Sequence, residues 1–367
     1  MKRILLVASE FPPGPGGIGH HAWFLSNHLS IEEDIELDVI CPKDFSTQDE
    51  VAAFDQEQSF RIYRWERKGF FTYAHRIFVL LRILIKHRYT HFWCSGKFPL
   101  WMIWIQKIVS PKTQTLCILH GSEVNLANKY LRLLTHHSIF KFQTIIAVSE
   151  FTKYLLPNWI LENHVSLKVI PNGLDISDLV LNGNVKLNGN PKLLTVGHVS
   201  PRKGQHRLIR ALPEIAKKFP NVVYHIVGRP IDQKKLEMLA SQLGVAHHVV
   251  FHGKILNHSL LWDYYNEADI FVLLSENQPN GDVEGFGIVA LEANAVGKPV
   301  LGAKFCGVES AIDHRKSGFL VDADKIEEIV NGITYCQGNF KTMENNCKDW
   351  AMSHSWDKVK IKFIEQL

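Results

Sequence analysis

The stretch ENQPNGDVEGFGIVALEANAVGKPVLG, Glu276 to Gly302, decides how the rest of the chain is read. Gly287 to Val296 predicts a helix, Gly297 and Pro299 stop it, and the β-branched run PVLG follows at once. A helix that hands over so quickly to a buried strand is the repeating unit of a parallel α/β sheet. Glu284 stands just ahead of this helix and Glu292 in its second turn, so both carboxylates can face one cleft. Gly285 and Gly287 flank Phe286 and remove two Cβ atoms where N–H groups at the helix start are free. A polyhydroxyl or anionic ligand can approach there, and carboxylates accept the paired donors of sugar and ribose diols. A solvated helix residue and a plain turn are the alternative reading of this stretch alone.

The alternation continues on both sides. Strands are expected at ILLVA (4–8), LDVIC (37–41), RIYRW (61–65), THFWC (90–94), TLCIL (115–119), TIIAV (144–148) and LKVI (167–170). They recur at LLTVG (193–197), VVYHIVG (222–228), VVFHG (249–253), IFVLL (270–274), PVLG (299–302) and GFLVD (318–322). Helix-like segments such as Ala22 to Leu29 and Tyr73 to His87 lie between them. NGNVKLNGNP, Asn182 to Pro191, is rich in turn residues and reads as a linker, with a hinge near 176–191. The expected fold class is α/β, two doubly wound Rossmann-like domains facing across a central cleft at the carboxyl ends of their strands. The expected divisions are 1–180, 190–348 and a C-terminal helix, 349–367, that packs back toward the first domain.

Two further clusters carry chemistry. In LLTVGHVSPRKGQHRLIRAL (193–212) a strand ends at Gly197, a loop holds Arg202 and Lys203, and a helix follows Gly204. Two cations at such a junction can neutralise a diphosphate, most strongly as charge develops on a leaving group. Two exposed basic residues beside a cap are the plainer alternative. In LCILHGSEV (116–124) His120 and Gly121 close a buried strand and Glu123 follows, which places His120 for site duty, a satisfied core histidine being the alternative. A decoy lies near the N-terminus: Gly14, Gly16 and Gly19 spell G-x-G-x-x-G after ILLVAS, and Asp38 stands where a ribose-binding acid would be expected. Ser9 to Pro13 separate that strand from the first glycine, and two prolines hold the chain extended, which is not dinucleotide geometry.

Taken together, these clusters resemble the retaining nucleotide-sugar glycosyltransferases of the GT-B fold, in particular glycosyltransferase family 4. The resemblance spans nearly the whole chain through GPGGIGHH, HGSE, VSEFT, PNGLD, VGHVSPRKG, IVGRP, FHG, ADIFVLLS, EGFGIVALEANAVGKPV, SGFLVD and the late SW. Its most specific part is the pair of glutamates separated by seven residues. It implies retaining, metal-independent transfer of a hexose-type sugar from a UDP or GDP sugar to a hydroxyl of a saccharide or lipid-linked acceptor, with no cofactor. The leaving diphosphate takes the acceptor proton in a front-side attack. The resemblance implies that Gly16 and Gly17 set their N–H groups beside the donor diphosphate, across the cleft from Arg202 and Lys203. It places Glu284 on donor-sugar hydroxyls, Glu292 on the ribose, Gly285, Phe286, Gly287 and Ile288 along the donor, and His120 near the reacting sugar. The implied catalytic set is His120, Glu284, Arg202 and Lys203. The first domain is then the acceptor side and the second the nucleotide-sugar side. An epimerase or phosphorylase on the same fold, or an inactive nucleotide-sugar-binding protein, are the rivals. Two departures bear on donor choice: His198 stands where the family often has Arg, and CGVES (306–310) has Cys306 in place of one glycine.

Composition bounds the setting. A chain of 367 residues, 46% apolar and 21% charged, suits two globular domains rather than a disordered or fibrous chain. No apolar run approaches the roughly 18 residues of a membrane span, and the short run after Met1-Lys2-Arg3 lacks the cleavage site of a signal peptide. The six cysteines never form C-x-x-C and fall mostly in apolar runs, which suits a reducing, cytoplasmic protein without a zinc site. Asp322 and Asp324 have the spacing of a metal-binding pair but trail a strand and read as surface acids. Residues 1–57 hold 3 Lys+Arg against 11 Asp+Glu, whereas 58–170 hold 16 against 4. Within that basic segment Tyr73 to Arg88 reads first as a core-packing helix with a basic edge, with an anionic membrane surface, and so a cytoplasmic protein peripheral on the inner face, as the alternative. No nucleic-acid partner is expected.

Overall fold

The computed structural model describes residues 1–43, 47–66, 68–164 and 166–367. These form two compact units: Met1–Gly173 with Trp356–Leu367, and Leu174–Ser355. In the first, seven parallel strands are ordered β3-β2-β1-β4-β5-β6-β7. They are β1 Lys2–Ala8, β2 Ile35–Pro42, β3 Arg61–Trp65, β4 His91–Ser95, β5 Gln114–Leu119, β6 Thr144–Ala147 and β7 Leu167–Val169. In the second, six parallel strands are ordered β10-β9-β8-β11-β12-β13. They are β8 Lys192–Val196, β9 Val223–Val227, β10 Val249–Gly253, β11 Ile270–Leu273, β12 Val300–Ala303 and β13 Gly318–Val321. Both sheets are doubly wound α/β, as the apolar runs predict.

Helices cover both faces of such sheets, so an inner strand such as β1 is buried and apolar from Ile4 to Ala8. The strand order reverses beside β1 in the first unit and beside β8 in the second, and ligands bind at the carboxyl ends of such switch points. Right-handed crossovers put helices Thr72–Lys86, Ile103–Val109 and Lys129–Phe140 on one face of the first sheet and Gly17–Ser30 on the other.

The turn-rich segment 182–191 belongs to the second unit. The Asp263 carboxylate accepts the N–H groups of Asn182, Gly183 and Asn184 at 2.8, 3.0 and 3.0 Å, and Val185 is buried. One buried acid thus fastens a stretch whose composition alone suggests a free linker. The change of unit comes earlier, between Gly173 and Leu174.

The chain returns to the first unit at its end. Helix Trp356–Ile364 packs on Gly17–Ser30, with Trp356 against the rings of His21, Phe24 and His28 at 5.2, 6.2 and 5.6 Å. Trp356, Val359 and Phe363 are buried, and Lys360 pairs with Glu32 at 2.9 Å. At roughly 1.5–3 kcal/mol for each large apolar side chain fully buried, this helix is a substantial part of the first unit's stability. The helix before it, Phe340–Ser353, stays with the second unit.

Candidate active site

In the second unit the site is built from the carboxyl ends of β8 and β11 and the start of helix Ile288–Ala295. After β8 the chain makes a short turn, Pro201–Lys203, and enters helix Gln205–Lys218 through Gly204. Gly204 has φ 71°, and a Cβ there would lie 1.8 Å from the Leu274 carbonyl oxygen. Only glycine permits that approach, which draws Arg202 and Lys203 against the loop after β11. The Glu276 N–H donates to the Arg202 carbonyl at 2.8 Å.

The side chains then converge. Arg202 Nη1 lies 2.5 Å from Glu284 Oε2, Lys203 Nζ 2.7 Å from the same oxygen, and Arg202 Nε 3.2 Å from Asp282. The Lys203 and Glu284 side chains are only 10% and 12% exposed. Burial pushes the Glu284 carboxyl up, but the Lys203 and Arg202 charges and their hydrogen bonds hold it below its ordinary value. Glu284 is therefore an anion at neutral pH, clasped by two cations that keep further N–H donors for an incoming anion.

Gly285 and Phe286 are buried, and the Phe286 ring points to His354 at 6.2 Å, so only its backbone is offered to a ligand. Gly287 caps the helix in the left-handed region with φ 87°, and Ile288 is the first helical residue, half-buried. Glu292, one turn on, accepts the Tyr265 O–H at 2.5 Å, and burial lifts its carboxyl above the ordinary range. His198, after β8, is held below its ordinary value by burial and then by Arg229, Lys203, Arg202 and Lys254. Arg229 and Lys254 follow β9 and β10, so cations gather at the carboxyl edge where the missing arginine would stand. Such a focus of positive charge attracts a phosphate-bearing ligand.

The first unit carries a separate cluster at the carboxyl ends of β1, β4 and β5. His120 is buried, its Nε2 2.9 Å from Ser95 Oγ, and burial lowers it to about 4, so it is neutral at physiological pH. The His120 N–H donates to the Glu123 carboxyl group. His21, on helix Gly17–Ser30, lies edge-on to His120 at 5.0 Å, and neither of its ring nitrogens has a hydrogen-bond partner among the described residues. Gly16 caps that helix with φ 143°, where a Cβ would meet Glu10 Oε2 at 2.0 Å. Glu10 also accepts the Gly19 N–H, so a carboxylate already takes part of the helix N-terminus assigned to the diphosphate. Gly17 faces open space.

Glu123 gives this cluster a pH signature. Burial lifts its carboxyl to about 7, outweighing the N–H groups of His120, Glu123 and Gly121. The unfolded chain titrates near 4.5, so between these values the folded unit holds a proton that the unfolded chain has released. Stability then falls as pH rises through the window. Glu123→Gln should gain stability relative to the native protein from about pH 4.5 to about 7 and level off above, in urea titrations of both. Parallel curves would show that Glu123 is already ionised.

The structure thus gathers Arg202, Lys203, Glu284, Gly285, Gly287 and Ile288 in the second unit, with Glu292 a turn further on. His120, Gly16 and Gly17 lie in the first. Asp282, Arg229, Lys254 and Tyr265 escape the sequence reading, as do Glu10, His21 and Ser95. The acid directly after the first strand, and the Arg inside IVGRP, were the available signals. Among the described residues no group of three or more His, Cys, Asp or Glu is arranged to hold a metal ion. Asp322 accepts the Asp324 N–H at 3.2 Å and pairs with Lys325 at 3.1 Å, and Asp324 pairs with Arg207 at 3.0 Å.

Comparison with known proteins gives the family and the fold. The family Glycosyltransferase Family 4 matches residues 15–178, and Glycosyl transferases group 1 matches residues 181–347. The GDP-mannose-dependent alpha-(1-6)-phosphatidylinositol monomannoside mannosyltransferase of Mycobacterium tuberculosis is 26% identical, over 100% of this chain and 98% of its own. Its namesake in Mycolicibacterium smegmatis is 28% identical over 90% of this chain and 88% of its own. Sucrose-phosphate synthase from Thermosynechococcus elongatus superposes with a TM-score of 0.79 at 18% identity, over 100% of this chain and 98% of its own. The Anabaena protein HepE, solved with UDP and glucose, gives 0.76 at 19% identity over 100% and 99%. These two structures show the shared fold.

Proposed function

The chain belongs to the family 4 glycosyltransferases of the GT-B fold, and from that premise we propose that it moves a mannosyl or related hexosyl group from a nucleoside diphosphate to a hydroxyl of a lipid-linked acceptor, with retention and without a metal ion. The observation that carries this is the buried contact of Glu284 with Arg202 and Lys203. The cations stabilise charge as it moves onto the leaving diphosphate, and the glutamates take hydroxyl donors of the sugar and ribose. His120, uncharged, lies near the reacting sugar and donates or accepts a hydrogen bond rather than a charge. The leaving diphosphate removes the acceptor proton, so no side chain is needed as nucleophile. Relatives named for GDP-mannose and phosphatidylinositol mannosides that match nearly the whole chain support GDP-mannose and a glycolipid. Buried, free thiols at all six cysteines suit action on the cytoplasmic side.

The test incubates the protein with GDP-mannose or UDP sugars and phosphatidylinositol or its mannosides, with and without chelator. An α-linked mannosyl product formed equally in chelator is the expected result. An inverted linkage would refute retention, and activity lost to chelator and restored by Mg²⁺ would refute metal independence. Isomerised or phosphorolysed sugar, or nucleotide binding without transfer, would favour the rival readings.

A further inference from the structure

The helix layer on one face of the first sheet is amphipathic on its outer side. In Thr72–Lys86 the inward positions are Leu80, Ile83 and Leu84, while Phe78, Arg82 and Ile85 form an outward stripe at helical spacing. Phe70, Phe71 and Tyr73 lead into it, Phe70 being 94% exposed and Ile85 75%. Helix Ile103–Val109 packs beside it and turns out Trp104 and Ile108, the latter 82% exposed. Lys129–Phe140 is tied on by Trp104 Nε1–H to Ser138 Oγ at 2.8 Å and exposes Tyr130, Leu133 and Leu134. The handedness of the crossovers puts all three on the same side of the sheet. Monomers in water rarely leave so large an apolar patch uncovered.

Charge says what covers it. Residues 68–141 contain eleven Lys+Arg and one acid, Glu123, which is buried. Arg82 and Lys86 stand exposed among the apolar side chains, and Lys141 Nζ lies 5.5 Å from the Trp104 ring centre. Arg76 is no part of this face, since its guanidinium lies over Trp65 and Phe98 at 5.2 and 5.4 Å. Among the described residues no helix is long and apolar enough to cross a membrane. Aromatic side chains among cations suit a surface that lies in the headgroup layer. A second copy of this chain would set cations against cations.

We propose that the outer faces of these three helices dock the first unit on an anionic lipid leaflet, a partner that rests on the lipid-linked acceptor reading for its purpose but on the surface alone for its evidence. The test is sedimentation of the full chain with phosphatidylcholine vesicles, with and without phosphatidylglycerol, in the absence of donor and acceptor. The native protein should bind only the anionic vesicles, less as salt rises. Arg82→Glu with Lys86→Glu should lower the partition constant about thirty-fold or more, since each basic residue near such a surface is worth about 1 kcal/mol. Phe70→Ser with Phe71→Ser should keep low-salt binding but lose it at physiological salt. Unchanged melting temperatures, and unchanged transfer to a water-soluble acceptor in both variants, separate this inference from the catalytic one. Native protein that ignores anionic vesicles at low salt, or binding untouched by both pairs, overturns it. So does a dimer in sedimentation velocity that the phenylalanine pair dissolves while vesicles go unbound.

Discussion

Arg202→Ala with Lys203→Ala is expected to lower kcat at least about a thousand-fold. Each donor aimed at developing anionic charge is worth roughly 2.7–4 kcal/mol, and donors to one group act non-additively. The two cations touch one carboxylate oxygen, at 2.5 and 2.7 Å, so they form a single electrostatic unit. Their loss also strands Glu284 in a largely buried place, where it will take up a proton, so the melting temperature should fall as well. Adding Glu284→Gln should restore stability but not activity, which separates the fold from the chemistry. Transfer within a few-fold of the native rate would remove the diphosphate assignment.

Removing the anion instead should act in a different way. Glu284→Ala leaves Lys203 and Arg202 without their shared partner, and breaking a buried ion pair from one side costs about 3–5 kcal/mol. The variant is expected to melt earlier and to transfer little sugar. A nucleoside diphosphate, however, supplies the missing negative charge. It should raise the melting temperature of Glu284→Ala more than that of the native protein, because a ligand bound only by the folded state stabilises by mass action. Equal ligand shifts in the two proteins would mean that the cations face something other than the diphosphate.

Much of this site could be read from residue types alone. Strands such as Leu193 to Val196 declare themselves by continuous apolar runs, and Glu284, Gly285 and Gly287 by their place at a helix start. What could not be read is contact across the sheet. Arg229 and Lys254 reach the His198 neighbourhood only because β9 lies beside β8 and β10 beside β9, an order that no local pattern carries. Glu10 meets Gly16 because the loop between them turns back, the Gly14 N–H donating to the Phe11 carbonyl at 3.2 Å. Asp263 holds residues 182–184 from some eighty positions away, so their turn-rich composition misled. Arg76 looks like its neighbours in a basic helix, yet the rings beneath it decide its role.

The final helix has a consequence for the order in which the protein matures. Residues 174–355 are one uninterrupted length of chain whose two ends meet, the Leu174 N–H donating to the His354 carbonyl at 2.7 Å. The first unit is instead assembled from two separate stretches, Met1–Gly173 and Trp356–Leu367. On the ribosome the later-encoded unit is therefore complete first, while the earlier-encoded one waits with the apolar flank of Gly17–Ser30 bare until Trp356, Val359 and Phe363 emerge. Loss of residues 356–367 would leave the second unit whole and strike the first, the one that carries His120 and the exposed aromatic face.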